Sequence, residues 1–277
     1  REARARVVVL AASTLESTRI LLNSTSRRFP NGVGNSSAVL GHYLMDHFTL
    51  QGAGGFITPL ESSVREPTGN PCGFLIPKYV NTGNNRNRNF FRGYRFDGDA
   101  SQQLYAQAFS TPGFGAQFRR RVREEIPYYF GMMAQGECLP RYDNYVKLDR
   151  EKKDAWGIPA LHIHASYGEN ERAMAKAMRQ DVLEVLDALK LQDPKPPRPE
   201  LSIFGKNIHE CGTARMGNDP RTSVVNRFNQ VHEAKNVCVT DGAVFVTQGC
   251  YEPTLTIMAI SARAADYIAE EYKKGNL

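Results

Sequence analysis

A short, unbroken apolar run, Arg6-Val7-Val8-Val9-Leu10-Ala11-Ala12, passes through a Ser13-Thr14 turn straight into a segment of helical period, Leu15 to Leu22. Its β-branched residues and lack of alternation predict a strand buried on both faces, as in a parallel sheet. Leu15, Thr18, Leu21 and Leu22 give the helix one face. A buried strand feeding a helix is half of a βαβ unit. A parallel sheet that opens this way lacks its first strands, so the opening reads as truncated. The other end of the chain has the same texture. Val237-Cys238-Val239-Thr240 predicts a second buried strand, ending at Asp241-Gly242. Pro253 suits the first position of a long helix whose apolar side carries Leu255, Met258, Ala262, Ala265 and Ile268, with Lys273-Lys274-Gly275 as its stop.

Between these ends the pattern changes. Tyr145-Val146-Lys147-Leu148 and Leu161-His162-Ile163-His164-Ala165 alternate with period two between turns, which predicts antiparallel strands. A helix follows, with Asn170 as N-cap and Met174, Met178, Val182, Leu186 and Leu189 as a core-facing stripe. The Pro-rich stretch from Asp193 to Pro199 ends it as a linker-like loop. The fold class expected is α/β plus α+β. Residues 1–48 and 206–277 form one discontinuous domain, and 49–205 form an inserted antiparallel-sheet domain.

The formal charge of +6 does not mark a nucleic-acid binder, because cations and acids are interspersed, as in Arg119-Arg120-Arg121-Val122-Arg123-Glu124-Glu125. Asn84 to Arg92 mixes cations with Phe90 and Phe91, and reads as a polar surface loop entering a strand. No segment reaches the roughly 20 apolar residues of a membrane span. The five cysteines, Cys72, Cys138, Cys211, Cys238 and Cys250, have no regular spacing and fit free thiols better than a disulfide framework. His162 and His164 share one strand face but lack a third ligand nearby, so no metal site is expected.

A nucleotide-binding enzyme carries Gly-x-Gly-x-x-Gly between a strand and a helix. The nearest strings, Gly32-Val33-Gly34-Asn35-Ser36-Ser37 and Gly52-Ala53-Gly54-Gly55, lack the third glycine in place. Chemistry concentrates elsewhere. His209-Glu210-Cys211-Gly212-Thr213-Ala214-Arg215-Met216-Gly217 sets a histidine and an arginine in a Gly-rich loop that allows close backbone approach to a ligand. Asp241-Gly242 stands at a strand's carboxyl end, where open α/β sheets bind ligands. The Pro253-Thr254 helix start offers free N–H groups and a positive dipole end. Asp46-His47, in Gly41-His42-Tyr43-Leu44-Met45-Asp46-His47, reads as a buried Asp–His hydrogen bond of structural use.

In order and spacing, these segments resemble the glucose–methanol–choline oxidoreductases. Val7 to Leu22 looks like the family's internal strand–turn–helix, Gly41 to His47 is similar to the segment after it, and Asp154-Ala155-Trp156-Gly157-Ile158-Pro159 resembles the lead-in to a substrate-domain strand. His209 to Gly217, Asn236 to Gly242 and Pro253 to Ala259 carry the strongest likeness. The resemblance implies a partial FAD-binding Rossmann-like domain with an inserted substrate-binding domain. It implies FAD as cofactor, an upstream segment of the same protein that holds the glycine fingerprint, a sugar or alcohol substrate, and an electron-acceptor protein.

Residue roles follow from the same resemblance. His209 matches the base that takes the hydroxyl proton while the carbon passes a hydride to flavin N5. Asp241 and Gly242 match the segment that holds the ribityl–phosphate portion, and Ala12 and Ser13 match positions lining the nucleotide. The Pro253-Thr254 helix start would stabilise negative charge on reduced flavin. Glu252 is a departure, for the family usually has His or Asn there. A carboxylate cannot donate to a substrate oxygen unless protonated. It would pair with protonated His209 or bind another sugar hydroxyl. The competing expectation is a non-catalytic relative that keeps the fold as a binding module.

Overall fold

The computed structural model describes residues 2–57, 73–86, 89–101, 108–122 and 128–277. In chain order the elements are β1 (Val8–Leu10), α1 (Thr14–Asn23), β2 (Phe48–Phe56), β3 (Phe74–Ile76), β4 (Tyr94–Ser101), α2 (Gly115–Arg120), β5 (Tyr129–Gly136), β6 (Tyr145–Lys153) and β7 (Pro159–His164). They continue with α3 (Glu169–Leu189), β8 (Gln192–Lys195), β9 (Gln230–Val231), β10 (Ala234–Val239) and α4 (Thr254–Lys273). These segregate into two compact units, one of Arg1–His47, Glu137–Gly168 and Ile203–Leu277, the other of Phe48–Gly136 and Glu169–Ser202.

The first unit holds a sheet of order β1-β10-β9, with β1 parallel to β10 and β9 antiparallel to it. The parallel pairing of the chain's two ends is as the sequence predicts. Burial of β1 on both faces is not: Val8 is 40% and Val9 50% exposed. Strand side chains project from the two faces of a sheet, so these exposures mean that both faces of β1 are only partly covered among the described residues. α1 matches its predicted span and buries Thr18 and Leu21. In α4, Pro253 stands at the N-cap rather than the first helical position, and the expected core stripe faces outward, with Leu255 77% and Met258 63% exposed.

Strands β6 and β7 form the predicted antiparallel pair, but within this first unit. Residues 137–168 therefore interrupt the insertion expected over 49–205. Arg19 of α1 draws the hairpin in, donating to the Pro159 carbonyl (2.8 Å) and the Asp154 carboxylate (2.7 Å). The Val146 N–H also donates to the Gly41 carbonyl at 2.8 Å.

The second unit is a wholly antiparallel sheet of order β3-β4-β5-β2-β8 carrying α3. Met174, Met178 and Val182 are fully buried and Leu186 nearly so, whereas Leu189 is 46% exposed and ends the stripe. Asp181 of α3 accepts from the Tyr94 hydroxyl at 2.6 Å and from the Tyr79 hydroxyl, and burial foremost pushes both phenols above their ordinary range. Asn170 is not the N-cap but lies in the first turn, where its Oδ1 accepts from the Phe91 N–H at 2.8 Å. The Pro-rich stretch is partly strand: β8, with Pro194 inside it, pairs Lys195 with Gly54 and Gln192 with Phe56. Proline is tolerated there because β8 is an edge, where its missing N–H breaks no ladder bond.

Candidate active site

Three loop segments of the first unit converge. The stretch from His209 to Gly217 threads between Gly41–His47 on one side and the 3-10 turn Gly242–Val244 on the other. Towards the first, Met45 and Cys211 exchange N–H···O bonds of 2.9 Å each, and Gly41 and Thr213 add a 2.6 Å bond. Towards the second, the N–H groups of Gly212, Ala214 and Met216 donate to the carbonyls of Gly242, Ala243 and Val244 at 3.0, 2.9 and 3.0 Å. Gly212 has no alternative residue: its φ is +89°, and a Cβ would stand 2.1 Å from the Tyr43 carbonyl oxygen. Arg215 lies over the Tyr43 ring, 4.2 Å from its centroid.

This framework brings two histidines together. His47 Nδ1 lies 2.9 Å from His209 Nδ1, with the rings edge-on at 89°. The other nitrogen of His47 lies 2.8 Å from the Gly249 carbonyl oxygen. The Gln248 amide donates to the His209 carbonyl at 2.5 Å, and the Tyr167 hydroxyl to the His47 carbonyl at 2.9 Å. His47 is fully buried and His209 only partly so. Beside His209, Ile208 is 80% exposed with φ +54°, a conformation β-branched residues rarely take. Such strain gathers at sites where a neighbouring group must be held in one direction.

The expected Asp46–His47 bond is absent among the described residues. Asp46 instead accepts from three backbone N–H groups, those of His209 (3.1 Å), Gly205 (2.9 Å) and Asn207 (3.3 Å). Successive residues of an extended segment point to opposite sides, so Asp46 cannot share the side of His47. Burial pushes the Asp46 carboxyl up. The His209 N–H pulls it back most strongly, and the nearby Glu210 charge adds to the rise.

Asp241 and Gly242 are buried at the end of β10. The Asp241 carboxylate is turned inward, accepting from Ser17 Oγ at 2.5 Å and the Ala243 N–H at 2.9 Å. Burial foremost raises its pKa, against those two donors. Ser17 Oγ also accepts from the Ala12 N–H at 3.1 Å, so Ala12-Ser13 and Asp241-Gly242 are joined through one serine. Ser13 is exposed with φ +71°. A Cβ on Gly242 would meet Thr14 Oγ1 at 2.7 Å, so the α1 turn packs against bare backbone there. Pro253 is buried and Thr254 exposed at the start of α4, which has no side-chain cap. Glu252 is exposed on the loop between Gly249 and that helix.

His209 and the Ala12–Ser13–Asp241–Gly242 group are thus each ordered by the fold. His47 reads in the sequence only as a structural partner of Asp46, and Ser17 does not stand out there as a site residue. Cys138, Cys211, Cys238 and Cys250 are all buried, and Cys72 lies outside the described residues. Burial pushes the thiols of Cys211 and Cys238 up to about 12 and about 11.

Fold and site define a mixed α/β chain with antiparallel sheets and a paired histidine where three loops meet. Residues 140–261 match the family described as GMC oxidoreductase. The chain is 31% identical to a 2-methyl-1,2-propanediol dehydrogenase of Mycolicibacterium austroafricanum, over 98% of this chain and 49% of that protein. It is 29% identical to the fructose dehydrogenase large subunit of Gluconobacter japonicus, over 98% of this chain and 48% of that protein. A formate oxidase structure from Aspergillus oryzae superposes with a TM-score of 0.61 at 13% identity, covering 97% of this chain and 55% of that one. Residues 140–261 therefore belong to the GMC oxidoreductase family, and the chain spans about half the length of the curated relatives it matches.

Proposed function

We propose that the protein carrying this chain is an FAD-dependent oxidoreductase that oxidises a CH–OH group of a sugar, glycoside or polyol, with His209 as general base. The observation that carries the reading is the 2.9 Å contact between His209 and the buried His47, which fixes an imidazole at a partly open position. A base of this kind, oriented by a second group, is suited to taking a hydroxyl proton. The relatives' names, a diol dehydrogenase and a fructose dehydrogenase, support the substrate class.

The residues present fit FAD. The uncapped N-terminus of α4 exposes N–H groups at Thr254 and beyond, suited to negative charge. Ala12-Ser13 and Asp241-Gly242 would hold the cofactor by their backbone, since the Asp241 carboxylate is occupied by Ser17 and Ala243. FAD, when bound, supplies the hydride acceptor. In this reading residues 1–48 and 206–277 belong to a Rossmann-like cofactor domain and unit two binds substrate. The uncovered Val8, Val9, Leu255 and Met258 suit packing by an upstream segment of the same protein. Glu252 pairs with protonated His209 or binds a second hydroxyl. The relative named as a large subunit supports a further subunit as partner, for which electron acceptance is the role assigned in this reading.

The test is the anaerobic visible spectrum of the full-length protein before and after a panel of sugars, glycosides and polyols. Bleaching of a flavin band by one of them is expected. A flavin that none reduces would remove the substrate class, and a folded full-length protein without flavin would leave the binding-module reading in its place.

A further inference from the structure

We infer that His47 is a positioning residue that sets the tautomer of His209, leaving Nε2 of His209 as the proton acceptor. The argument is a chain of donors and acceptors that begins at a group with no choice. The Gly249 carbonyl oxygen can only accept. Its 2.8 Å partner, His47 Nε2, therefore carries a hydrogen. A neutral imidazole has one N–H and one lone pair, so His47 Nδ1 is an acceptor. The atom facing it at 2.9 Å is His209 Nδ1, which must then be the donor. With its hydrogen on Nδ1, neutral His209 holds its lone pair on Nε2. That nitrogen has no hydrogen-bond partner among the described residues, while His209 as a whole is only partly buried.

Every link is held from outside the pair. Gly249 has φ +81°, a conformation that turns its carbonyl at low cost for glycine. The Met45–Cys211 exchange fixes the spacing of the two strands that carry the rings. Three backbone N–H bonds to Asp46 and the Gln248 bond to the His209 carbonyl hold the loop that carries His209.

The role rests on the proposed function, and its chemistry balances within it. A substrate O–H proton moves to the Nε2 lone pair of His209 as the carbon gives up its hydride. His209 becomes an imidazolium that still donates its Nδ1–H to His47, so the accepted proton requires no rearrangement of the pair. The opposite tautomer would present an Nε2–H to the substrate hydroxyl and could not take its proton. An Nδ1–Nδ1 contact also has room for one hydrogen, not two, so the pair takes up a single proton in the reaction.

Two-bond 1H–15N correlation spectra of the full-length flavoprotein, labelled at histidine and recorded where both rings are neutral, test the inference. The His209 signals are identified by their loss in His209→Gln. Protonated Nδ1 and bare Nε2 at His209, with the reverse at His47, are expected. Protonated Nε2 at His209 in the unaltered protein would overturn the inference without any variant of His47. His47→Leu should return His209 to the Nε2–H form and lower kcat by about a hundredfold with little change in KM. His47→Asn, which keeps an acceptor oxygen near the Nδ1 position, should restore much of both. A His47→Leu protein with unchanged tautomer and kcat would also overturn the role. If the tautomers are as stated but no CH–OH compound reduces the flavin, the functional reading fails and takes the catalytic purpose of His47 with it, while the hydrogen-bond assignment stands.

Discussion

Met45 and Cys211 exchange backbone hydrogen bonds in both directions, 2.9 Å each way; His47 stands two residues after Met45 and His209 two residues before Cys211. Antiparallel pairing advances one strand while it retreats along the other, so His47 and His209 are the next pair on the same side. One backbone register thus builds the histidine contact, and whatever disturbs the register disturbs the site.

Gly212→Ala is expected to disturb it most. The new Cβ would meet the Tyr43 carbonyl at 2.1 Å, and φ +89° strains any residue with a side chain. Gly249→Ala has a similar φ of +81° but nothing within 4 Å. The first should cost several kcal/mol, or prevent folding, and the second about 1 kcal/mol. Urea unfolding of the two variants side by side checks the order.

The apolar stripe of α3 should end where burial ends. Met178→Ala, at a fully buried position, should lose about 2–5 kcal/mol. Leu189→Ala, where the side chain is 46% exposed, should stay within about 0.5 kcal/mol of the parent. Equal losses at the two positions would mean that α3 packs further along its length than described.

Asp241 gives a signed pH dependence. Burial raises its pKa above the ordinary 3.8, so the folded protein holds this proton to higher pH than the unfolded chain does. Its contribution to stability is therefore full below 3.8 and declines as pH rises through the raised value. Asp241→Asn removes that decline. The stability of the parent relative to the variant should therefore fall as pH rises, measured by unfolding at about pH 4 and about pH 7.

Cys211 and Cys238 should resist alkylation in the native protein. Both are buried, with thiols pushed up to about 12 and about 11, so the reactive thiolate is scarce at neutral pH. Mass spectrometry after iodoacetamide treatment should find both unmodified until urea is added.

The sequence was readable wherever a pattern is local. The Met174–Met178–Val182–Leu186 stripe, the β6–β7 alternation and the β1–α1 turn each report a contact made within a few residues. What it did not reveal depends on partners far along the chain. Alternation in Tyr145–Leu148 says that a strand pairs antiparallel, not which unit holds it; the bonds of Arg19 decide that. Val8 and Val9 look like core residues because composition cannot tell how completely the faces of a strand are covered. Asp46-His47 suggested a bond between adjacent residues, yet each side chain looks across the loop to opposite ends of the His209 residue, one to its N–H and one to its ring. His209 itself stood out through its Gly-rich setting, but its partner lies 162 residues away and no spacing rule connects them.

The most direct measurement is the anaerobic rate at which a CH–OH substrate bleaches the flavin of the full-length protein, compared with His209→Gln. With His209 as the base, the variant should keep its flavin spectrum and be reduced about 10²–10⁴ times more slowly. A His209→Gln protein that binds flavin and is reduced at the parent's rate would contradict the account.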